Sequence, residues 1–197
     1  MRKAPKQARS REMVERIVAA GRQVLVEHGY DAFSTNRVAA AAGVSPGSVY
    51  QYFPDKGAIL DVVLDRYWAE VADQVAASLA DRIGETGPGM VRATADALVG
   101  ALEADPVALQ VLAEELPLGR NRDRRADLER RVRDMVAIYL AARPDASQRP
   151  DPAVAAWVVV LALENLALRW VLDQPAAVTR EALLDEVVAL VGGYLTT

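Results

Sequence analysis

The sequence predicts an all-α protein, with an N-terminal three-helix domain containing a helix-turn-helix and a C-terminal helical bundle. Three observations predict it. Apolar residues recur three and four positions apart along nearly the whole chain, capping residues and glycines punctuate those runs, and no two segments alternate as paired strands do. With 197 residues, 52% of them hydrophobic, the chain has the apolar material for a packed core, which sets it apart from disordered and fibrous sequences.

The elements follow in order. Met13, Ile17, Val18, Val24 and Leu25 recur at helical spacing in a first helix that should stop at Gly29, behind His28. Ser34 or Thr35 caps a short second helix through Ala42, which Gly43 ends in the left-handed conformation open to glycine. Ser45 caps a third helix, with Pro46 in its first turn, where a missing N–H costs nothing. Asp55 caps a long fourth helix whose Leu60, Leu64, Trp68, Val71, Val75 and Leu79 form one stripe. Residues 84–89, Gly-Glu-Thr-Gly-Pro-Gly, are the clearest break in the chain. Further helices are expected near 90–104, 106–117, 122–142, 152–173 and 179–191, separated by turns that contain Pro or Gly.

Composition removes several classes of chemistry. Without cysteine there is no disulfide scaffold, thiolate metal site or cysteine nucleophile, which fits a reducing compartment. One histidine, His28, excludes a multi-histidine metal site and leaves little for a histidine-dependent triad. His28 reads as a helix-end residue near terminal carbonyls. No phosphate loop or nucleophile–base set is found, so neither an enzyme nor a cofactor is expected. The longest strongly apolar stretch, 153–163, is cut off by Glu164 and Asn165, whereas a spanning helix needs about 20 residues. The basic residues 1–11 precede no apolar run of signal-peptide type. A cytoplasmic protein without membrane contact is expected.

Charge divides the chain at the same place as the pattern. Residues 1–56 carry nine Lys/Arg against five Asp/Glu, and the rest carries 14 against 22, so a basic head sits on an acidic body and is the end expected to meet a polyanion. The expected domains are therefore 1–56, with a basic N-terminal arm, and 57–197.

Residues 34–56, STNRVAAAAGVSPGSVYQYFPDK, give the head its chemistry. Val38, Ala39, Ala42 and Val44 are small and apolar, so two helices can cross closely around Gly43. Val49 and Phe53, four apart, anchor the second of them inward. Its other face offers Ser45, Pro46, Gly47, Ser48, Gln51 and Tyr52, the layout of a helix that enters the major groove of duplex DNA. Gln51 suits paired hydrogen bonds to adenine, and Ser45 and Ser48 are short donors for the groove wall. Gly47 permits close backbone approach. Tyr50 and Tyr52 reach phosphates through their hydroxyls, the ring of Tyr50 packing partly inward. Lys56 meets a phosphate beside the N-terminus of the next helix, and Thr35, Asn36 and Arg37 present theirs to the same backbone. Any one of these residues also has a purely structural reading, as turn or core. The cluster beside the basic arm carries the case.

The run LVEHGYDAFSTNRVAAAAGVSPGSVYQYFPDKGAIL strongly resembles the DNA-binding domain of the tetracycline-repressor (TetR) family over about residues 10–60. The resemblance rests on Gly-Tyr-Asp-Ala-Phe, on the Ala-Gly-Val-Ser turn and on Tyr-x-Tyr-Phe-x-x-Lys. A recognition-helix position often basic or polar in that family is Pro46 here, which shifts base reading toward Asn36, Ser45, Ser48 and Gln51. The resemblance implies a DNA-binding head on a ligand-binding body, working as a homodimer. It also implies repression of transcription until a small-molecule effector changes the spacing of the two heads. Two-fold symmetry then asks for a palindromic operator read by helices about 34–36 Å apart.

In the body, residues 151–173 are apolar nearly all round and must be buried on several sides. Packing on a second copy, together with Leu183, Leu184, Val187, Val188, Leu190 and Val191, places homodimerisation at about 152–195. Glu164 shares a face with Trp157, Val160, Leu161 and Leu168, and a buried carboxylate needs a partner. Glu164 or Asn165 could hold a ligand's polar end between Trp68 and Trp157; the alternative is a structural ion pair and plain core. The seven arginines from 120 to 133 are interleaved with acids; Asp127 with Arg131 and Glu129 with Arg133 have the spacing of helix-surface ion pairs. A second anionic-ligand surface is the other reading of that run. The expected function is a ligand-responsive repressor. Its alternative is a DNA-binding scaffold regulated by a protein partner without a small-molecule pocket.

Overall fold

The computed structural model describes residues 4–82, 87–116, 118–143 and 145–196, with side chains outside 4–7, 118–125, 127 and 128. Every regular element among them is helical. Side-chain caps and left-handed residues bound the helices. α1 (Ala4–His28) ends where Gly29 turns at φ +72°, its N–H returning to Leu25 O at 2.9 Å. Of the two candidate caps for α2 (Thr35–Ala41), Ser34 is the one used, its Oγ accepting from Arg37 N at 3.3 Å. Gly43, at φ +66°, closes α2 in a Schellman turn, with Gly43 N donating to Ala40 O (3.1 Å) and Val44 N to Ala39 O (3.0 Å). α3 (Pro46–Tyr50) starts from Ser45, whose Oγ accepts from Ser48 N at 3.1 Å. Asp55 Oδ1 accepts from Ala58 N at 2.9 Å and so caps α4 (Lys56–Asp81).

Cα packing divides the chain into two units, and α4 runs from one into the other. The first comprises Met1–Tyr67 and Val107–Asn121. Within it α2 packs on both α1 and α3, around a core that includes Ile17, Leu25, Phe33, Val38, Val49, Ile59 and Leu64, all buried. Arg66 of α4 grips Glu15 of α1 in a fork at 2.5 and 2.6 Å. The single helix expected over 106–117 is instead α6 (Pro106–Gln110) followed by a π-helical turn, Val111–Glu115. Leu116 then leaves in an extended conformation (ψ 143°), as a residue before proline prefers.

The second unit comprises Trp68–Pro106 and Arg122–Thr197. α5 (Pro88–Glu103) begins after Gly87 at φ +90°; of the break expected at 84–89, residues 84–86 lie outside the described residues. It packs on α8 (Pro152–Asp173) and α9 (Arg180–Thr196), and these two touch each other. Arg92 of α5 is held by Asp185 and Glu181 of α9, and Arg180 returns the contact to Asp96 at 2.8 Å. α7 (Leu118–Ala142) adds Leu140 to Ala155 and Ala156 of α8. The side chains of Arg120, Arg122, Arg124, Arg125 and Asp127 lie outside the described residues, but Glu129 and Arg133 do pair, at 3.8 Å.

Two expectations change here. α9 continues past Val191 to Thr196, through Gly192 and Gly193. Tertiary contacts hold that last turn: Arg149 Nε donates to Tyr194 O (2.5 Å) over the Tyr194 ring, and Gln148 N donates to Leu195 O (2.7 Å). The stretch 153–163 was expected to be too short to span a membrane, but α8 as a whole is long and apolar enough, with a mean hydropathy of 1.7 over 18 residues. Ala155, Ala156, Val159, Val160, Ala167, Leu168 and Val171 spend this apolarity inside the unit, whereas Val154, Trp157 and Leu166 remain exposed.

Candidate functional site

The helix-turn-helix is built from α2, the Gly43 turn and α3. Val38 and Val49 are completely buried, and Ala39, Ala42 and Phe53 nearly so, which fixes the face that α3 turns outward. On the outer face Asn36, Arg37, Ser45, Pro46, Gly47, Tyr50, Gln51 and Lys56 are exposed, with Ser48 and Tyr52 half-buried. Short side chains at Ser45, Gly47 and Ser48 leave the α3 backbone open to close approach. The Ser45 and Ser48 hydroxyls hydrogen-bond each other at 2.9 Å, so the pair presents one shared donor and the remaining lone pairs.

Two placements differ from expectation, and a third residue has partners that the sequence did not show. Thr35 is buried (8% exposed), because it is the first residue inside α2 and Ser34 takes the capping position; only its backbone faces the helix end. Tyr50 is 55% exposed, so its ring does not pack inward; Val49 and Phe53 already fill the inward positions. Lys56 is engaged within its own unit, donating to Phe33 O at 3.2 Å with its ammonium 5.5 Å from the Tyr30 ring. Two of its three donors are left for a phosphate. Of the basic arm, Arg9 and Arg11 are exposed, while the side chains of Arg2, Lys3 and Lys6 lie outside the described residues.

A second feature lies wholly within the second unit. A cavity open to solvent at its mouth is lined by Trp68, Val71, Ala72 and Val75 of α4, Leu98 and Leu102 of α5, Val132 and Val136 of α7, and Val159, Val160, Leu163 and Leu168 of α8. Among the described residues its polar lining is Thr94, Glu129 and Glu164. Trp68 and Glu164 are thus brought together, whereas Trp157 and Asn165 are not among the lining residues. Trp157, 48% exposed, stands two turns before Glu164, beyond the end of the cavity at Val159. Asn165 is a third of a turn round from Glu164, exposed, with Nδ2 donating to Leu161 O at 2.8 Å. Thr94 and Glu129 were missed by the sequence reading. Glu129 showed only its surface-pair spacing to Arg133. Among the described residues, no three His, Asp or Glu side chains are grouped to hold a metal ion.

The description "Bacterial regulatory proteins, tetR family" matches residues 17–63, the helix-turn-helix and its flanks. "Tetracyclin repressor-like, C-terminal domain" matches residues 88–195, more than half of the chain. The chain belongs to the TetR family. As a TetR-family protein it is a DNA-binding transcriptional regulator and not an enzyme. The HTH-type transcriptional repressor DrrR1 of Streptomyces coeruleorubidus is 42% identical over 53 residues, covering 27% of this chain and 20% of that protein's length. Among solved structures, the fatty acid degradation regulator FadR from Bacillus halodurans has a TM-score of 0.69 at 21% identity, covering 98% of this chain and 97% of that one. A putative TetR-family regulator from Mesorhizobium loti has a TM-score of 0.72 at 21% identity, covering 95% and 96%. FadR from Bacillus subtilis, solved in complex with stearoyl-CoA, has a TM-score of 0.71 at 17% identity, covering 90% and 97%. At these identities the solved structures share the TetR fold: a helix-turn-helix domain followed by a helical domain.

Proposed function

We propose that this regulator is a ligand-responsive repressor, which binds a palindromic operator as a homodimer in the cytoplasm and is released by a small-molecule effector held in the cavity of the second unit. The observation that carries the reading is the outer face of α3, where exposed polar and small side chains surround a backbone anchored from behind by Val49 and Phe53. Gln51 reads an adenine edge through paired hydrogen bonds, with Asn36, Ser45 and Ser48 reading beside it. Pro46 and Gly47 let the α3 backbone come close to the groove. Arg37, Tyr50, Tyr52 and Lys56, with the backbone N–H groups at Thr35, bind phosphates and set the register.

Homodimerisation through about 152–195 is supported by apolar side chains that a single chain leaves open, Val154 (54% exposed) and Trp157 on α8 and Leu190 (52% exposed) on α9. The name of DrrR1 supports repression, and stearoyl-CoA on the Bacillus subtilis relative supports a ligand in a body of this fold. The cavity favours a small-molecule effector over control by a protein partner alone.

The test is selection of bound duplexes from a random DNA pool at two salt concentrations. An enriched palindrome that is lost when Gln51 and Tyr52 are both replaced by Ala is the expected result. Binding that is salt-sensitive and enriches no sequence would overturn base reading by α3.

A further inference from the structure

We infer that Glu115 is a positioning residue for DNA binding, which sets the Lys56 ammonium for its phosphate by holding the turn between α1 and α2. The inference rests on the reading of Lys56 as a phosphate contact and adds what orients it. The turn is held at both ends. At its start Glu115 Oε2 accepts from Tyr30 N at 2.9 Å. The turn closes with Phe33 N donating to Tyr30 O at 3.1 Å. At its end Phe33 O accepts from Lys56 Nζ at 3.2 Å, and the same ammonium lies 5.5 Å from the Tyr30 ring. The next residue, Ser34, caps α2. All of these residues belong to the first unit.

Two observations set Glu115 apart from an ordinary surface carboxylate. It is the last residue of the π-helical turn, whose wider closure aims its side chain off the α-helical direction, and such turns concentrate at functional sites. Glu114 beside it pairs with Gln110 of its own segment at 3.2 Å, whereas Glu115 reaches the end of α1. The second observation is Gly29, where a Cβ would lie 2.8 Å from Glu115 Oε2, so the glycine leaves the room that the carboxylate occupies. A carboxylate at the C-terminal end of α1 stands at the negative end of the helix dipole, which offsets part of what its hydrogen bond contributes to stability. The benefit falls on Lys56. A lysine stem has much rotamer freedom to lose when its ammonium meets a phosphate. Tied to Phe33 O and lying over the Tyr30 ring, Lys56 has lost part of that freedom beforehand, and two donors remain for the phosphate. Releasing Tyr30 loosens the turn, and Lys56 with it.

Glu115→Gln and Glu115→Ala separate the hydrogen bond from the charge. Both remove a charge that repels phosphates, and only Gln keeps an acceptor for Tyr30 N. Each is made in the full chain, with and without Lys56→Met, and its affinity for a random-sequence duplex is measured by fluorescence anisotropy across a series of salt concentrations. Glu115→Ala should bind about two- to tenfold more weakly than Glu115→Gln, the reach of one hydrogen bond. Its slope of log affinity against log salt should be flatter by up to about 0.9 per protomer, the share of one phosphate. Both differences should vanish in the Lys56→Met background. Tyr30→Leu keeps the backbone bond to Glu115 but removes the ring beneath Lys56, so it should also flatten the slope, and it decides the matter if Glu115→Ala fails to fold. Equal binding by the Ala and Gln variants, a difference between them that persists in Lys56→Met, or an unaltered slope in Tyr30→Leu overturns the inference and leaves the phosphate role of Lys56 standing. If Lys56→Met itself leaves the slope unchanged, the phosphate role falls and this inference with it.

Discussion

Replacing Gly29 with alanine tests a contact between residues far apart in sequence. Gly29 turns at φ +72°, and a Cβ there would lie 2.8 Å from Glu115 Oε2, the atom that accepts from Tyr30 N at 2.9 Å. Gly29→Ala therefore has two costs. An L-residue in the left-handed region costs about 1–2 kcal/mol. Displacing Glu115 loses its hydrogen bond to Tyr30, and because that carboxylate is exposed the loss is only about 0.5–1.5 kcal/mol. The expected total is about 1.5–3.5 kcal/mol. Once Glu115→Ala has removed the carboxylate, Gly29→Ala should cost only the backbone strain, so the two changes should couple by about 0.5–1.5 kcal/mol. Urea unfolding of the four proteins, followed by far-UV circular dichroism, measures this. Hydrogen exchange at the Tyr30 amide reports the bond directly. The reasoning is refuted if Gly29→Ala costs the same in both backgrounds to within about 0.3 kcal/mol, or if the Tyr30 amide exchanges equally fast with and without the Glu115 carboxylate.

Other perturbations separate the roles assigned above. Gln51→Ala should reduce discrimination at one base position per half-site by about 1–3 kcal/mol, measured by competition between singly substituted operators; unchanged discrimination removes Gln51 from base reading. Lys56→Met keeps the stem but loses the Phe33 and Tyr30 contacts, so the protein should be destabilised by about 1–2 kcal/mol and its DNA affinity should depend less steeply on salt; an unchanged salt slope would leave Lys56 a structural residue. Gly21→Ala improves helix propensity by about 1 kcal/mol, but its Cβ would meet Ile59 Cγ2 at 2.9 Å, and Ile59 is wholly buried. Overpacking costs about 1–3 kcal/mol, so net destabilisation by denaturant titration is expected. Burial raises the Tyr139 hydroxyl above the ordinary tyrosine range, against the opposing pull of Arg143. A raised folded-state value means that stability holds at neutral pH and falls as pH rises past that ordinary range, and Tyr139→Phe should flatten this alkaline loss.

The DNA-binding head was largely legible from the sequence because its information is local. Ser34, Gly43, Ser45 and Asp55 act on backbone groups within a few residues of themselves, so the helix ends could be read in chain order. The α4 stripe from Leu60 to Leu79 is likewise buried throughout, since one helical period decides which face turns inward. Where a tertiary contact overrides a local signal, the sequence misled. Gly192 and Gly193 look like a stop, yet Arg149, Gln148 and the packing of Tyr194 and Leu195 carry α9 through them. Val49 is legible as an inward anchor from its spacing to Phe53, but Tyr50 beside it also reads as partly inward, and only the packing of α2 on α3 leaves its ring outside.

From the order of residues alone came the all-helical class, the helix-turn-helix at 34–56 and the division of charge between head and body, because periodicity, capping and composition are properties of neighbours along one chain. The cavity and its chemistry belonged to the tertiary structure. Thr94, Glu129 and Glu164 sit on three different helices, and no spacing along the chain states that α5, α7 and α8 bring them to one wall. The contact of Glu115 with Tyr30 has the same origin, 85 residues apart in sequence and 2.9 Å apart in space. A carboxylate's meaning depends on what surrounds it, and for Glu129 the same side chain reads as a surface ion pair along its helix and as part of an apolar cavity across the bundle.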